Sequence, residues 1–283
     1  MQHLKLIECP RDAMQGLHDF VPTEQKIAYI NSILACGFDT VDFGSFVSPK
    51  AIPQMRDTAE VLEKLNPSSS KLLAIVVNER GALNAAAHDR INYIGYPFSV
   101  SEQFQRRNTG AGIEKSLTRV EAIRSIASES NKEMVIYLSM GFGNPYGEPW
   151  HPDLVTSWSE RLYKEFDIRI LAPSDTIGAA SPESIASLFK TLITSLGEVE
   201  FGAHLHTVPE SAAALIGAAY GAGCRRFDGA IKGFGGCPMA KDDLTGNMPT
   251  ERILDWLNKH DIATGIDAAA FEKSMELAAS VFP

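Results

Sequence analysis

The chain has 283 residues, of which 45% are hydrophobic and 22% charged, and its 26 Lys and Arg against 35 Asp and Glu give a formal net charge of −9. This composition is typical of globular proteins and excludes global disorder, and the 22 Gly and 15 Pro have no period, which excludes a fibrous protein. The acidic balance argues against nucleic acid or an anionic membrane as the main partner.

The cysteines and the amino-terminal residues bear on the cellular compartment. Cys9, Cys36, Cys224 and Cys237 are far apart and form no CxxC pair, which favours reduced thiols over a disulfide framework or a zinc ribbon. The first eight residues show no basic segment followed by a long apolar stretch. The longest apolar runs are far below the ~20 residues that a membrane-spanning helix needs. We therefore expect a cytoplasmic protein with no membrane partner.

Short apolar segments rich in β-branched residues recur along the chain. The eight predicted strands are 4–9, 40–43, 72–77, 90–95, 134–139, 168–173, 200–206 and 226–230. Their nearly continuous hydrophobicity is typical of strands covered on both faces. Most segments between them carry apolar residues at three- to four-residue spacing. The predicted helices are 23–36, 53–65, 82–88, 113–130, 152–166, 182–196 and 209–222. Pro182 and Pro209 lie near predicted helix starts, where proline is tolerated.

Eight strand–helix units in one chain predict a parallel sheet with helical crossovers, and eight is the number that closes into a (β/α)8 TIM barrel. A doubly wound open sheet is the alternative. It often has a glycine-rich turn after the first strand, and residues 10–15 contain no GxGxxG. We therefore predict an α/β fold in which residues 1–283 form a single TIM-barrel domain. A C-terminal lid loop and an extra terminal helix over 267–280, with Asp267 as its N-cap, complete the prediction.

Polar residues follow several strands, and in TIM barrels the carboxyl ends of the strands carry the active site. His204 and His206 are two residues apart on a predicted strand, so their side chains point to the same face. With Asp12 and Asn247 on the same rim, the set comprises two imidazoles, one carboxylate and one amide. This set suits Mg²⁺ or Mn²⁺, with Zn²⁺ also compatible. The alternative is a hydrogen-bonded histidine pair without a metal.

Two further residues at the same rim, Cys237 and Arg11, are candidates for catalytic roles. Cys237 is the only cysteine on the glycine-rich loop 233–238, where Gly235 and Gly236 allow a sharp bend and the movement of a lid. Its thiol would be a proton donor to a carbanion or a nucleophile, or else a small residue that fills a tight turn. Arg11 directly precedes Asp12, so we expect the two side chains to diverge.

The Arg11 guanidinium would stabilise an enolate or bind a carboxylate, or would form an ion pair with Asp42 or Asp175. Asp175 and Thr176 would orient a histidine or contact substrate, and the alternative is that Asp175 caps the following turn. The candidate substrate-contacting residues are Arg11, Gln15, Ser45 and Thr176.

Several motifs together resemble hydroxymethylglutaryl-CoA lyases. They are Pro10-Arg11-Asp12, SFVSPK at 45–50, Asp175-Thr176-Ile177-Gly178, His204-x-His206, GxGGCP at 233–238 and Gly246-Asn247. The resemblance runs in order from about residue 4 to about residue 260. SFVSPK and GxGGCP are specific to the lyase branch of this metal-dependent barrel family, whereas HxH is shared with the synthases.

The resemblance implies cleavage of 3-hydroxy-3-methylglutaryl-CoA to acetoacetate and acetyl-CoA, a reaction of leucine degradation. The implied ligands of Mg²⁺ or Mn²⁺ are Asp12, His204, His206 and Asn247. Arg11 would stabilise the enolate of acetyl-CoA, and Cys237 would protonate it. The implied partner is a small acyl-CoA, and we expect a homo-oligomer, with a dimer as the first guess.

The base that takes the hydroxyl proton is His204 in this scheme, with Asp42 and Asp175 as the alternatives. Asp42 stands where the family has Glu, His18 where a lysine is expected, and Thr207 where the family has an acidic residue. Two other functions therefore stay open. One is a related aldolase or lyase that acts on another 3-hydroxy acyl-CoA or hydroxy acid. The other is a non-catalytic barrel that binds acyl-CoA.

Overall fold

The computed structural model describes residues 3–236 and 245–282. Its eight parallel strands close in chain order into a barrel. The strands are β1 (Lys5–Glu8), β2 (Thr40–Ser45), β3 (Lys71–Ile75), β4 (Ile91–Ser99), β5 (Glu133–Ser139), β6 (Ile170–Asp175), β7 (Glu200–Leu205) and β8 (Arg226–Gly229). Each predicted strand overlaps an observed one, and the prediction of a TIM barrel is confirmed.

Helices separate the strands along the chain. They are α1 (Pro10–Gln15), α2 (Thr23–Leu34), α3 (Thr58–Lys64), α4 (Glu79–Ala86), α5 (Glu102–Thr109), α6 (Ile113–Glu129), α7 (Pro152–Phe166), α8 (Pro182–Ser195), α9 (Ala212–Gly221), α10 (Thr250–Lys259) and α11 (Ala268–Val281). Short 3-10 helices lie at Pro53–Met55 and Ile231–Gly233. The sequence prediction missed α1, α5 and α10. Helix α1 is shorter than two turns, and α5 has Phe104 as its single large apolar side chain, so neither shows an apolar stripe.

Closure of the barrel brings the first and last strands together. Strand β1 pairs with β8, and β8 pairs with β7 in a register that sets His204 beside Asp228. Helix α1 begins two residues after β1 ends, so its side chains lie at the same rim as the end of β7. Inside the barrel, an apolar cluster includes Leu73, Ile75 and Tyr137. The rim is therefore a polar site above an apolar floor.

The predicted terminal helix is α11, and it packs against α2. The Asp267 side chain accepts a hydrogen bond from the Ala270 N–H at 2.9 Å, which confirms the predicted N-cap. The rings of Tyr29 and Phe282 meet edge to face with centroids 5.8 Å apart, and Phe282 also stacks on Phe234 at 4.4 Å. Because Phe234 lies within the glycine-rich loop, this contact supports the first residues of that loop.

The structure also bears on the thiols and on membrane association. Cys9, Cys36 and Cys224 are buried and free, in agreement with the prediction of reduced thiols. Over residues 3–236 and 245–282, no helix combines the length and the apolar character needed to cross a bilayer.

Glu8 is fully buried at the end of β1 and joins two segments that flank the glycine-rich loop. One of its carboxyl oxygens accepts from the Ile231 N–H at 2.8 Å, and the other accepts from the Thr250 hydroxyl at 2.5 Å. Burial raises the pKa of Glu8 to about 8, although these two hydrogen bonds oppose the shift. The side chain is therefore largely protonated in the folded protein at neutral pH.

This raised pKa predicts a pH-dependent stability. The contribution of Glu8 to the free energy of unfolding is fully present below its ordinary pKa of 4.5 and is lost as the pH rises through about 8. We expect Glu8→Gln, which keeps the shape and stays neutral, to match the parent near pH 5 and to exceed it in stability above pH 8. Urea unfolding from pH 5 to 9 measures this, with the exposed Glu272→Gln as control. A difference that does not grow with pH would contradict the prediction.

Candidate metal-dependent active site

Three predicted metal ligands come together at the rim. A carboxylate oxygen of Asp12 and one ring nitrogen each of His204 and His206 all lie within 4.8 Å of one another. The two imidazole rings have centroids 5.5 Å apart, as expected for side chains on the same face of a strand end. Asp12 reaches them from α1, because β1 and β7 are separated only by β8 in the closed barrel.

Asn247, the fourth predicted ligand, is held beside His206 by main-chain pairing. Residues His206 and Asn247 form an antiparallel bridge, and the Met248 N–H donates to the Leu205 carbonyl at 2.9 Å. The Asn247 amide nitrogen donates to Asp12 at 2.8 Å and to the Phe234 carbonyl at 2.9 Å. Both amide protons are thus used, which leaves the amide oxygen as the available ligand atom.

The protonation states of these residues fit a divalent cation. Burial, together with the charge of His204, lowers the pKa of His206 to about 4, so its ring is neutral near pH 7. Its buried Nδ1 atom has no hydrogen-bond partner among the described residues. Burial alone would raise the pKa of Asp12, but Arg11 and the two histidines outweigh it and the pKa is lowered. Neutral imidazole and ionised carboxylate are the forms that bind metals.

Asp228 is a candidate positioning residue that the sequence reasoning missed. One of its carboxyl oxygens lies 3.2 Å from Nδ1 of His204, and its side chain is buried. Burial by itself lowers the pKa of His204, but the hydrogen bond to Asp228 and the charge of Asp228 outweigh burial. The pKa of His204 is therefore raised above its ordinary value. This contact turns the other ring nitrogen toward the ligand cluster, in the manner of carboxylate–histidine–metal sites. The sequence does contain a signal for this role: Asp228 is a carboxylate on the predicted strand that follows the His204-x-His206 strand in the chain.

We expect Asp228→Asn to weaken metal binding without removing a ligand. The amide keeps the shape but does not favour the same tautomer of His204, so Mn²⁺ affinity should fall about 10- to 100-fold. Isothermal titration calorimetry of the metal-free protein measures this. The exposed Asp255→Asn on α10 is the matched control. Unchanged Mn²⁺ affinity would show that Asp228 does not position His204.

Arg11 is bound by two carboxylates. Its Nη1 donates to Asp12 at 2.7 Å and to Gln15 at 3.0 Å, while Nε and Nη2 donate to Asp42 at 3.1 and 2.5 Å. The expectation that Arg11 and Asp12 diverge is wrong, because both lie on α1 rather than on an extended strand. The ion pair with Asp42, the alternative interpretation, is the observed one, and it fixes the guanidinium in place.

Neither candidate carboxylate base reaches the cavity described below. Asp42 is completely buried against Arg11; burial raises its pKa to about 6, and the guanidinium opposes the shift. The two oxygens of Asp175 accept from the Ala179 and Ala180 N–H groups at 2.8 and 2.9 Å. Asp175 therefore caps the turn after β6, which is the alternative to a role in orienting a histidine or contacting substrate. The neighbouring Thr176 accepts from the Met140 N–H at 2.9 Å and contacts the cavity.

A cavity that is open to solvent lies at this rim, with about 950 Å³ of empty space when the solvent at its opening is included. Its lining contains the ligand cluster and all four predicted substrate-contacting residues. The polar lining residues are Arg11, Asp12, Gln15, Ser45, Asn108, Tyr137, Ser139, Ser174, Thr176, His204 and His206. The remaining lining residues are apolar and belong to β3, β4, α5 and the segments after β2 and β3.

Cys237 lies outside the described residues, but the loop just before it is described. Gly235 has a φ of +97°, and a Cβ atom there would lie 2.6 Å from the Asn247 amide nitrogen and 2.8 Å from the Asp12 carbonyl oxygen. Glycine is the residue that this conformation and this close approach allow. The main chain two residues before Cys237 therefore passes directly over two of the predicted ligands.

The fold and the site define a TIM barrel with a candidate metal-binding cluster in a cavity at the carboxyl ends of its strands. The chain belongs to the HMGL-like family, whose model matches residues 4–278. It is 32% identical over 257 residues to a hydroxymethylglutaryl-CoA lyase of Bacillus subtilis, covering 91% of this chain and 85% of that protein. The resemblance to lyases of this type, identified from the sequence motifs, is confirmed.

Two further comparisons agree with this family. The chain is 30% identical over 268 residues to the 3-hydroxy-3-isohexenylglutaryl-CoA/hydroxymethylglutaryl-CoA lyase of Pseudomonas aeruginosa, covering 94% of this chain and 89% of that protein. The structure of an HMG-CoA lyase from Acinetobacter baumannii, in complex with coenzyme A and 3-methylmalate, superposes with a TM-score of 0.91 at 28% identity. That superposition covers 99% of this chain and 91% of the other.

Proposed function

We propose that this chain cleaves 3-hydroxy-3-methylglutaryl-CoA to acetoacetate and acetyl-CoA with Mg²⁺ or Mn²⁺ bound by Asp12, His204, His206 and Asn247. The observation that carries the proposal is the position of the ligand cluster and the Arg11 guanidinium in the lining of one cavity. The lyases to which the chain is similar support the same reaction.

The reaction breaks the bond between C2 and C3 of the substrate. Loss of the proton from the C3 hydroxyl turns C3 into the ketone carbon of acetoacetate, and the electron pair passes to C2 as the enolate of acetyl-CoA. A bound divalent cation lowers the pKa of a hydroxyl that it coordinates. Arg11, held by Asp42 and Gln15, stabilises the negative charge that develops on the thioester oxygen.

Two proton transfers complete the scheme. His204 lines the cavity, whereas Asp42 and Asp175 are buried away from it. Because Asp228 and the metal would occupy both ring nitrogens of His204, it is the base only when its second ring nitrogen faces the substrate hydroxyl instead of the metal. Cys237 is the proposed donor of the proton that C2 receives. The passage of Gly235 over Asp12 and Asn247 supports this role, because the thiol follows two residues later.

Release of acetoacetate from 3-hydroxy-3-methylglutaryl-CoA tests the function directly. We expect turnover with Mg²⁺ or Mn²⁺, its loss on addition of EDTA, and its recovery when excess metal is restored. Folded, metal-loaded protein that binds the thioester without cleaving it would identify a non-catalytic acyl-CoA-binding barrel instead. A cytoplasmic location and a homodimer stay predictions.

We expect Cys237→Ala to lower kcat by about 10²- to 10⁴-fold, the range of a lost proton donor, while the Kd for Mn²⁺ stays within twofold. The thiol is not among the predicted ligands, so the two quantities should separate. The matched control is Cys36→Ala. The Cys36 thiol forms a hydrogen bond with the hydroxyl of Ser274 on α11 and does not line the cavity. A collapse of metal binding in Cys237→Ala would contradict the proposed role.

A further inference from the structure

The chain leaves the barrel after β8 and returns to it over the predicted ligand cluster. Residues 231–236 form the outgoing limb, and residues 245–250 form the returning limb. Gly235 on the outgoing limb passes over the main chain of Asp12, and Asn247 on the returning limb donates to the Asp12 carboxylate at 2.8 Å. The placement of the fourth predicted ligand therefore depends on how the two limbs are held together.

Glu8 bonds to both limbs at the point where they join the barrel. Its carboxyl oxygens accept from the Ile231 N–H of the outgoing limb at 2.8 Å and from the Thr250 hydroxyl of the returning limb at 2.5 Å. These three residues are buried and form what we call the Glu8 clamp. Glu8 pairs with Gly229 across β1 and β8, and a Cβ atom at Gly229 would lie 2.6 Å from the Thr250 hydroxyl oxygen. The absence of a side chain at Gly229 therefore gives Thr250 access to Glu8.

A carboxyl group at the position of Glu8 is costly to bury. Its contacts with the described residues include no lysine or arginine, and the nearby Glu251 brings a second acidic charge. A hydrocarbon side chain of similar size would avoid the cost of burying a polar group. Hydrocarbon accepts no hydrogen bond, however, and so would not join two chain segments. Two directional hydrogen bonds are therefore what the carboxyl group adds at this position.

We propose that Glu8 is a positioning residue for the metal site, which ties the two limbs together and so sets Asn247 beside the Asp12 carboxylate. The inference rests on the proposed function, because Asn247 contributes to that function as a metal ligand. Glu8 does not line the cavity. Its effect reaches the metal through Thr250, which is three positions after Asn247 on the returning limb.

Three variants test the Glu8 clamp through the Kd for Mn²⁺, measured by calorimetry. Glu8→Leu removes both acceptors, and we expect the Kd to rise about 10- to 100-fold, the range for a lost outer-shell partner. Thr250→Val removes only the hydroxyl, so the Kd should rise by a smaller factor, and this milder change serves as the test if Glu8→Leu does not fold. In Glu8→Gln the Kd should stay within about threefold of the parent value, because a carboxamide accepts from Ile231 and donates to Thr250.

A double variant separates positioning from a general loss of stability. In an Asn247→Ala background the fourth ligand is already absent, so Glu8→Leu or Thr250→Val should raise the Kd for Mn²⁺ by less than about twofold further. General destabilisation would instead raise the Kd by the same factor in both backgrounds. Ser159→Ala is the matched control, because it removes a buried hydroxyl that bonds within α7, outside the cavity. It should lower the melting temperature and leave the Kd unchanged.

Amide hydrogen exchange of the metal-free protein tests the clamp without the ligand assignment. The N–H groups of Thr207 and Met248 bond the returning limb to the end of β7, so their exchange reports on the position of that limb. Exchange should accelerate about tenfold in Glu8→Leu and stay unchanged in Glu8→Gln. Unchanged exchange in Glu8→Leu would overturn the proposal, as would an equal rise in Kd with and without Asn247. A parent protein that binds no Mn²⁺ would contradict the proposed function instead, and exchange would then decide on the clamp.

Discussion

His206→Ala is expected to weaken metal binding and to lower turnover together. The ring of His206 is buried, neutral near pH 7 and within 4.8 Å of the other two clustered ligands, so its loss removes one of two nitrogen ligands. We expect the Kd for Mn²⁺ to rise by at least about 100-fold, since loss of an outer-shell partner alone costs about 10- to 100-fold. The value of kcat should fall by on the order of 10³, because no other described group lowers the pKa of the substrate hydroxyl.

Metal content by mass spectrometry and calorimetry with Mn²⁺ measure the first effect, and acetoacetate release measures the second. Circular dichroism reports whether the variant is folded. His260→Ala is the control, because His260 is exposed and stacks on Trp256 of α10, away from the cavity. Metal content equal to that of the parent would favour the alternative interpretation, a histidine pair that binds no metal.

Arg11→Gln is expected to lower kcat by about 10²- to 10³-fold, the effect of removing one group that stabilises developing negative charge. The substitution also leaves Asp42 buried without its cation. Asp42 already has a pKa raised to about 6 by burial in spite of Arg11, so without the guanidinium it should become protonated at neutral pH. Breaking a buried ion pair in this way destabilises a protein by about 3–5 kcal/mol.

A double variant separates the chemical effect from the structural one. In Arg11→Gln combined with Asp42→Asn, neither side chain carries a charge, so thermal stability should return most of the way to the parent value. Turnover should not return, because the enolate still lacks its cationic partner. Recovery of kcat together with the melting temperature would show that Arg11 acts only through folding.

The sequence predicted the scaffold better than it predicted the lining of the cavity. Strands buried on both faces have a local signature, a short apolar run, and that signature located all eight strands of the barrel. Helix α5 has no such signature, because Phe104 is its single large apolar side chain and the buried residue next to it, Gln105, is polar. The prediction therefore missed the helix that brings Phe104 and Asn108 to the cavity.

The sequence by itself determined in which direction side chains point when they are close together in the chain. The two-residue spacing of His204 and His206 puts both rings on one face, since side chains alternate along any strand. The contacts that control their chemistry depend on tertiary structure instead. Asp228 meets His204 because β8 pairs with β7 in a fixed register, and Asp42 meets Arg11 because β2 pairs with β1, although these residues are 24 and 31 positions apart in the sequence. Local periodicity determines which residues face inward, whereas the pairing of strands decides which of those residues touch.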